Sequence, residues 1–305
     1  MKIISWNVNG LGNPVKRRKI KEVIVKVDPD IVLLQESKLE KVDGFLIRSI
    51  WNSRFKEWDF IPSSGSSGGL VIGWDTRIAS KVDDLKGCYS LSVLLNIKGK
   101  SCWWVTNVYG PTNPRSRSLL WEELSFVHGL CSPHWCVGGD FNAIRYPTEK
   151  LGGSRITASM RSFDGFIRDC ELKDIPLSNA QFTWSVNRGR VMSSRIDRFL
   201  VTSLWEDQFP DLIQETLVRP VSDHFPLLLE SSRVKWGPTP FRFENMWLQH
   251  HSFLDQVKTW WEECPVTGWE GFKFMKKLKY IKEKIRTWNK EVFGDIRVKK
   301  KGDFT

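Results

Sequence analysis

The feature that most restricts what this chain can fold into is a succession of short apolar runs, each opening or closing on a polar cluster. Residues 2–6, 31–35, 70–74, 91–97, 103–108, 135–139, 182–186, 196–201 and 227–229 carry the pattern. They are rich in β-branched and aromatic side chains and bounded by Gly, Pro, Asn or Asp, the mark of β-strands. Helical spacing is rarer. It appears at Val15, Ile20, Val23, Ile24 and Val27, at Leu119, Leu120, Leu124 and Val127, and at Met160, Phe163, Phe166, Ile167 and Cys170. Between residues 70 and 108 no helical pattern interrupts the strands, whereas a Rossmann-like sheet would need a helix after most of them. The pattern predicts an α+β fold: a four-layer α/β/β/α sandwich of two packed, mostly antiparallel sheets flanked by helices. Residues 63–69, SSGSSGG, read as a flexible loop rather than a domain boundary, because strand-like sequence resumes at once.

The pattern changes after about residue 233. No strand is visible from Trp236 onward. Phe253, Leu254, Val257, Trp260 and Trp261 mark one helix face, and Phe272, Met275, Leu278, Ile281, Ile285, Trp288 and Val292 mark a longer one that stops near Gly294. Residues 236–305 hold 14 Lys/Arg against 9 Asp/Glu, a large part of the net charge of +11 carried by the whole chain. The division expected is a domain over residues 1–235 and a helical, basic C-terminal extension over 236–305. The basic helix face is either simply solvated or a phosphate-contacting surface.

A basic chain favours a polyanionic partner, nucleic acid or an acidic membrane surface, without specifying a fold. The sixteen tryptophans read mainly as core. Cys88, Cys102, Cys131, Cys136, Cys170 and Cys264 form no CxxC pair, and they read as buried free thiols in a reducing compartment. The N-terminus lacks the apolar stretch of a signal peptide, and no run approaches the ~18 apolar residues of a membrane span. An intracellular, soluble protein is the expectation.

Six polar clusters stand at strand ends: Trp6-Asn7-Val8-Asn9-Gly10, Gln35-Glu36-Ser37-Lys38, Asn107-Val108-Tyr109-Gly110-Pro111, Gly138-Gly139-Asp140-Phe141-Asn142, Arg195-Ile196-Asp197-Arg198-Phe199 and Ser222-Asp223-His224-Phe225-Pro226. Each alone has an ordinary explanation. Asn7 can cap a turn. Glu36 can end a strand in a salt bridge, and Asp197 can pair with its flanking arginines. Tyr109 can be a packed turn aromatic, Gly-Gly-Asp-Phe-Asn a plain turn, and His224 a surface histidine. Six such clusters in one chain, each at a strand terminus, are hard to obtain by chance, and strand ends converge at the rim of a sandwich.

In this order the clusters resemble those of the endonuclease/exonuclease/phosphatase superfamily, the fold of DNase I and the apurinic/apyrimidinic endonucleases. The resemblance covers about residues 1–232. WNVNGL, in place of the repair enzymes' Asn-x-Asp-Gly form, looks like the endonuclease of a plant LINE-type retrotransposon. PFRFENMW at 240–247 and WNKEVFGDI at 288–296 resemble the linker that follows the endonuclease in those polyproteins. The reverse transcriptase expected next is absent from the chain, which ends at Thr305, as in a truncated or domesticated fragment.

The resemblance implies a Mg2+-dependent endonuclease, with Mn2+ as a possible substitute, acting as a monomer on duplex DNA. A nuclear location, with no membrane partner, follows from the same source. By position, Glu36 would hold the cation with Asn7 beside it, and Asp223 would assist the leaving oxygen directly, through water or through a second metal. Asp140 would deprotonate the attacking water, with Asn142 on that water or a phosphate oxygen. His224 would donate to the phosphate, oriented by Asp197, and Tyr109 would donate its hydroxyl. Thr183 and Ser222 match DNA-contacting positions, and Arg188 and Arg190 stand at a hairpin tip that in relatives reaches toward the minor groove. Relatives often carry Asn three residues after the tyrosine; here that residue is Thr112, with Asn113 next to it as the candidate DNA contact. The alternatives are an abasic-site repair nuclease, a phosphatase of the same superfamily, and an inactive nucleic-acid-binding remnant.

Overall fold

A computed structural model describes residues 1–51, 54–65, 67–99, 101–187, 189, 191–209, 211–231 and 245–293. Contacts divide the chain into two compact units, Met1–Arg233 and Val234–Thr305. In chain order the first runs β1 (Lys2–Asn7), α1 (Pro14–Val27), β2 (Ile31–Gln35), α2 (Gly44–Ile50), β3 (Lys56–Ser64), β4 (Ser67–Asp75), β5 (Ala79–Lys86), β6 (Ser90–Ile97) and β7 (Cys102–Tyr109). It continues with α3 (Arg117–Cys131), β8 (Trp135–Asp140), α4 (Ala158–Asp169), β9 (Lys173–Asp174), β10 (Trp184–Asn187), β11 (Val191–Ser194), β12 (Asp197–Val201), α5 (Ser203–Gln208), β13 (Leu212–Thr216) and β14 (Leu227–Ser231).

The strands build two six-stranded sheets, ordered β13-β14-β1-β2-β4-β3 and β5-β6-β7-β8-β12-β9, with β10 and β11 as a separate hairpin. All pairings are antiparallel except β1 with β2 and β7 with β8. Those two pairs need crossovers, which α1 and α3 supply. Strand alternation then sorts the apolar side chains into layers. Ile3, Ile31 and Leu33 share the central core with Val93, Val105 and Phe199 of the other sheet. Ile4, Val32 and Leu34 point the opposite way, under Ile20 and Ile24 of α1 and Ile47 of α2. Val137 and Leu200 lie under Leu120 and Leu124 of α3 and Phe163 and Ile167 of α4. This is the four-layer α+β sandwich expected from the strand pattern. Among the described residues no helix is long and apolar enough to cross a membrane.

The two sheets are joined inside the core by a pair of buried amides. Gln35 Nε2 donates to Asn107 Oδ1 at 2.6 Å and to Ser5 Oγ at 3.1 Å. Asn107 Nδ2 donates to the carbonyls of Leu34 and Val71 at 3.0 and 2.9 Å. Unpaired amides at such depth cost several kcal/mol, roughly 2–7 in an apolar medium, so this match favours one stacking of the sheets.

Several elements depart from the sequence expectation. β3 and β5 are edge strands, at the ends of their sheets. Their outward positions carry charge, Glu57 in one and Lys81, Asp83 and Asp84 in the other, which suits an edge but hides the apolar alternation. β9, β11, β13, α2 and α5 are short and likewise carry little periodic signal. The stretch read as a loose loop contributes to a β-hairpin, because Ser63 pairs with Gly68 and Ser64 with Ser67. Cys88 and Cys102 are exposed, whereas the other four cysteines are buried as expected, and all six are free.

The second unit contains α6 (Phe253–Glu263) and α7 (Glu270–Phe293), with a small core of Trp247, Phe253, Ile281, Ile285 and Trp288. Trp247 Nε1 donates to Asn289 Oδ1 at 2.8 Å. The expected stop at Gly294 lies outside the described residues.

One glycine controls how closely the central strands approach. Gly139 has φ 150°, and a Cβ there would stand 2.1 Å from the carbonyl oxygen of Val108 on β7. Gly139→Ala is therefore expected to lower the unfolding free energy by roughly 2 kcal/mol or more, read from urea denaturation. An unchanged midpoint would mean that the strands have room to part.

Candidate active site

The parallel pairs bring chemistry to one edge. β1 and β2 run together, so Asn7 faces Gln35 at their C-terminal ends. β7 and β8 also run together, so Tyr109 faces Asp140. β12 is antiparallel to β8, so its first residue, Asp197, lies opposite Asp140. Trp184, opening β10, bridges to His224 just before β14, which returns beside β1. Six segments scattered along the chain thus end at one place. Asn9, Glu36, Lys38 and Asn142 all adopt left-handed backbone, with φ of 49°, 51°, 55° and 49°. Non-glycine residues rarely hold this conformation, and its clustering here marks loops shaped by a task other than stability.

Two carboxylates share one amide. Asn7 Nδ2 donates to Glu36 Oε1 at 3.1 Å and to Asp140 Oδ2 at 2.9 Å. Tyr109 donates its hydroxyl to Glu36 Oε1 at 2.8 Å, and Lys38 Nζ lies 3.2 Å from Glu36 Oε2. Burial pushes the Glu36 carboxyl up, but the bonds from Asn7, Tyr109 and Lys38 outweigh it, and the net shift is downward. Burial and then Glu36 push the Tyr109 phenol far up, so it keeps its proton.

Asp140 is buried. Its Oδ1 accepts from the Asn142 backbone N–H at 2.8 Å, and the Asn142 amide reaches Oδ2 at 3.3 Å and the Gly110 carbonyl at 2.9 Å. Burial raises this carboxyl well above its ordinary range, against the pull of His224. His224 Nδ1 lies 3.0 Å from both oxygens of Asp197, and its Nε2 lies 3.7 Å from Asp140 Oδ2, beyond hydrogen-bond length. Burial lowers the affinity of the imidazole for its proton. Asp197 and Asp140 more than reverse this and raise its pKa to about 10.

The expected residues thus meet, with informative exceptions. Thr183, expected at a DNA-contacting position, is fully buried. Its hydroxyl donates to Asp197 Oδ2 at 2.7 Å and accepts from the Ile196 and Asp197 backbone, so it braces Asp197. Ser222, the other such position, donates to the Asn7 carbonyl at 2.7 Å and accepts from the His224 N–H at 3.2 Å, bracing the loop instead. Asn113 caps the turn after Tyr109 with its Oδ1, which accepts from Arg115 N–H at 3.0 Å. Asn7 presents its N–H face to the carboxylates, while its Oδ1 accepts from Asn9 N–H at 3.0 Å. In this orientation it holds the acids together and does not itself offer an oxygen to a cation. The β10–β11 hairpin is present, but Arg188 and Arg190 lie outside the described residues.

Three contacts escaped the sequence reading. Trp184 Nε1 donates to Asp223 Oδ2 at 3.0 Å. Lys16 Nζ donates to the Asn9 carbonyl at 2.6 Å, and Lys38 Nζ donates to Asn9 Oδ1 at 2.6 Å. Lys38 could have been flagged as a cation two residues beyond an isolated strand-end acid. Lys16 and Trp184 had no such signal.

The cluster of groups able to ligate a metal that lies tightest is Asp140, Asp197 and His224, with ligand atoms within 4.8 Å of one another. A protonated imidazole already bonded to a carboxylate is a poor ligand, and it suits proton and hydrogen-bond work. The hard-oxygen donors outside that cluster are Glu36, whose Oε2 is held by Lys38 alone among the described residues, and Asp223, reached through the Asn9 amide at 3.5 Å. That donor chemistry fits Mg2+, which takes one or two carboxylates and completes its shell with water and phosphate oxygens.

Comparison with known proteins bears on the fold. An exodeoxyribonuclease of Bacillus subtilis (strain 168) is 26% identical, with 75% of this chain and 98% of that protein covered. Among solved structures, a 3'-5' exonuclease (NExo) from Neisseria meningitidis superposes with a TM-score of 0.61 at 21% identity, covering 76% of this chain and 99% of the other. The endonuclease domain of TRAS1, a telomere-specific non-LTR retrotransposon, superposes with a TM-score of 0.59 at 14% identity, covering 77% and 99%. The family model described as Endonuclease/Exonuclease/phosphatase matches residues 4–224. With its two six-stranded sheets and a site at the ends of their central strands, the chain belongs to the endonuclease/exonuclease/phosphatase family.

Proposed function

We propose that this family member is a Mg2+-dependent DNA phosphodiesterase that nicks one strand of intact duplex, and that it is of LINE-retrotransposon type. The observation that carries the reading is the convergence of Glu36, Asp140 and His224 on one edge, with Asn7 bonded to both acids and His224 Nε2 3.7 Å from Asp140. The WNVNGL form and the tail motifs favour the retrotransposon type over a repair enzyme.

Glu36, with Asp223 at the margin, is the residue that would hold the cation. When bound, the cation supplies Lewis-acid stabilisation of the charge developing on the phosphoryl oxygens. The remaining work falls to the chain. Asp140, raised by burial, accepts the proton of the attacking water, and Asn142 orients that carboxylate. His224 in its cationic form donates Nε2–H to a non-bridging phosphate oxygen, while Asp197 and Thr183 hold the ring. Tyr109, kept protonated, donates to the same group or holds Glu36. Asp223 would assist the departing 3' oxygen, which takes its proton from solvent water to become the 3'-hydroxyl.

A second reading has its own support: the curated relative is an exodeoxyribonuclease, and other neighbours are AP endonucleases. Supercoiled plasmid, linear ends and abasic duplex separate these activities. Nicking of plain plasmid is expected with Mg2+. Strong preference for abasic duplex or for 3' ends would move the assignment to repair or exonuclease work. Phosphate release from a lipid or inositol headgroup without DNA cutting would make the chain a phosphatase, and metal-independent DNA binding with no cutting would make it a remnant.

Asp140→Ala and His224→Ala are each expected to lower nicking by a factor of about 10^3, with salt-sensitive DNA binding nearly intact. Parallel loss of binding would make them structural residues. The raised pKa of His224 also has a thermal signature. Its proton is held more tightly in the folded state, so the stabilisation is fully present below pH 6.5 and lost as pH rises through about 10. The Tm advantage of the wild type over His224→Gln should shrink across that window. A difference that is constant with pH would show that His224 is not held as a cation.

A further inference from the structure

Glu36 is fully engaged, but its partners are unequal. Oε1 takes the Asn7 amide and the Tyr109 hydroxyl, both from strand ends. Oε2 takes only Lys38, at 3.2 Å, from a side chain one-third exposed. Lys38 is not an ordinary surface lysine. Backbone bonds fix its loop, with Lys38 N–H on the Gly68 carbonyl at 3.0 Å and Ser37 N–H on the Gly69 carbonyl at 3.0 Å. Its ammonium has a second anchor, Asn9 Oδ1 at 2.6 Å. Asn9 is itself tied down, by its own N–H to Asn7 Oδ1 at 3.0 Å, by Lys16 on its carbonyl at 2.6 Å, and by its amide 3.5 Å from Asp223 Oδ1. Asn9 bears no charge, so Glu36 is the only carboxylate with which Lys38 forms an ion pair among the described residues.

We propose that Lys38 is a built-in counter-ion for Glu36 which a divalent cation displaces, and that the displaced ammonium, retained by Asn9, becomes a contact for the substrate phosphate. This rests on the reading of Glu36 as a cation ligand. An ammonium and a divalent ion on one carboxylate oxygen repel strongly at such range, so occupancy by one excludes the other. Of the three groups on Glu36, Lys38 is the one that can leave without breaking a strand-end contact. Its tether to Asn9, whose amide lies 3.5 Å from Asp223 Oδ1, would keep it beside the cation site, where a substrate phosphate would bring negative charge. The exchange keeps Glu36 neutralised before loading and supplies one more positive group after it. Lys38 is thereby a positioning residue for the cation and a binding residue for the phosphate.

The test uses the whole chain without turnover. Mn2+ binding is followed by the loss of the free-ion EPR signal for wild type, Lys38→Met, Lys38→Gln, Lys38→Arg and Glu36→Gln. Lys38→Met and Lys38→Gln should bind Mn2+ about tenfold more tightly, since a like charge is removed from a partly screened site. Lys38→Arg should match the wild type, and Glu36→Gln should bind more weakly. In Ca2+, a fluorescein-labelled duplex should bind Lys38→Met severalfold more weakly, with the slope of log K against log salt reduced by about one. Mn2+ binding to both neutral variants no tighter than to wild type overturns the exchange, and unchanged duplex binding in Ca2+ overturns the phosphate contact. If the wild type binds no Mn2+, or if Glu36→Gln does not weaken binding, the metal-dependent reading fails and the exchange fails with it.

Discussion

The amide pair Gln35–Asn107 is the contact on which the rest of the site depends. It is buried between the sheets and ties them together through its donors, with Gln35 donating to Asn107 and Asn107 donating to carbonyls of β2 and β4. Glu36 follows Gln35 by one residue and Tyr109 follows Asn107 by two. The bond between the Tyr109 hydroxyl and Glu36 is therefore a consequence of the same stacking, read out at the rim. A hydrophobic interface alone tolerates small slips; a buried donor and acceptor that must find each other does not.

Above that bridge the molecule carries features that a fold selected for stability alone would avoid. Asp140 is buried with a raised pKa, and His224 is buried beside two carboxylates that raise its pKa. Four non-glycine residues around them hold left-handed backbone. Compensation comes from dense bracing: Asn7 across two acids, Thr183 under Asp197, Ser222 between the first and last loops, Trp184 on Asp223. These braces keep side chains from remote segments within hydrogen-bond distance before any substrate arrives, which is where a hydrolytic site gains most of its rate. A contrast lies beside the site, where Arg195 and Arg198 pair with Glu149 and Asp174 in a network with no member among the proposed catalytic groups. The arginines flanking Asp197 are thus used structurally, while Asp197 itself is turned to His224.

The amino-acid sequence by itself determined the layers and the chemistry. Short β-branched runs bounded by turn residues, such as Ile31–Gln35, read as central strands, and helical spacing at 15–27, 119–127 and 160–170 supplies the outer covers. The identities Asn7, Glu36, Tyr109, Asp140, Asp197 and His224 were legible because each is a polar residue placed where a strand runs out, and few other residue types could serve there. Edge strands β3 and β5 were not legible, since solvent on one side permits charges that erase the period. Only the tertiary structure decided which polar groups act and which brace. The sequence did not show that the Thr183 hydroxyl sits on Asp197, that the Asn7 amide lies between two acids, or that Lys38 lies on Glu36. Local sequence dictates what a side chain can donate or accept. Its partner is set by the packing of residues dozens to hundreds of positions away, and a hydrogen bond is decided by a few tenths of an ångström that no local pattern encodes.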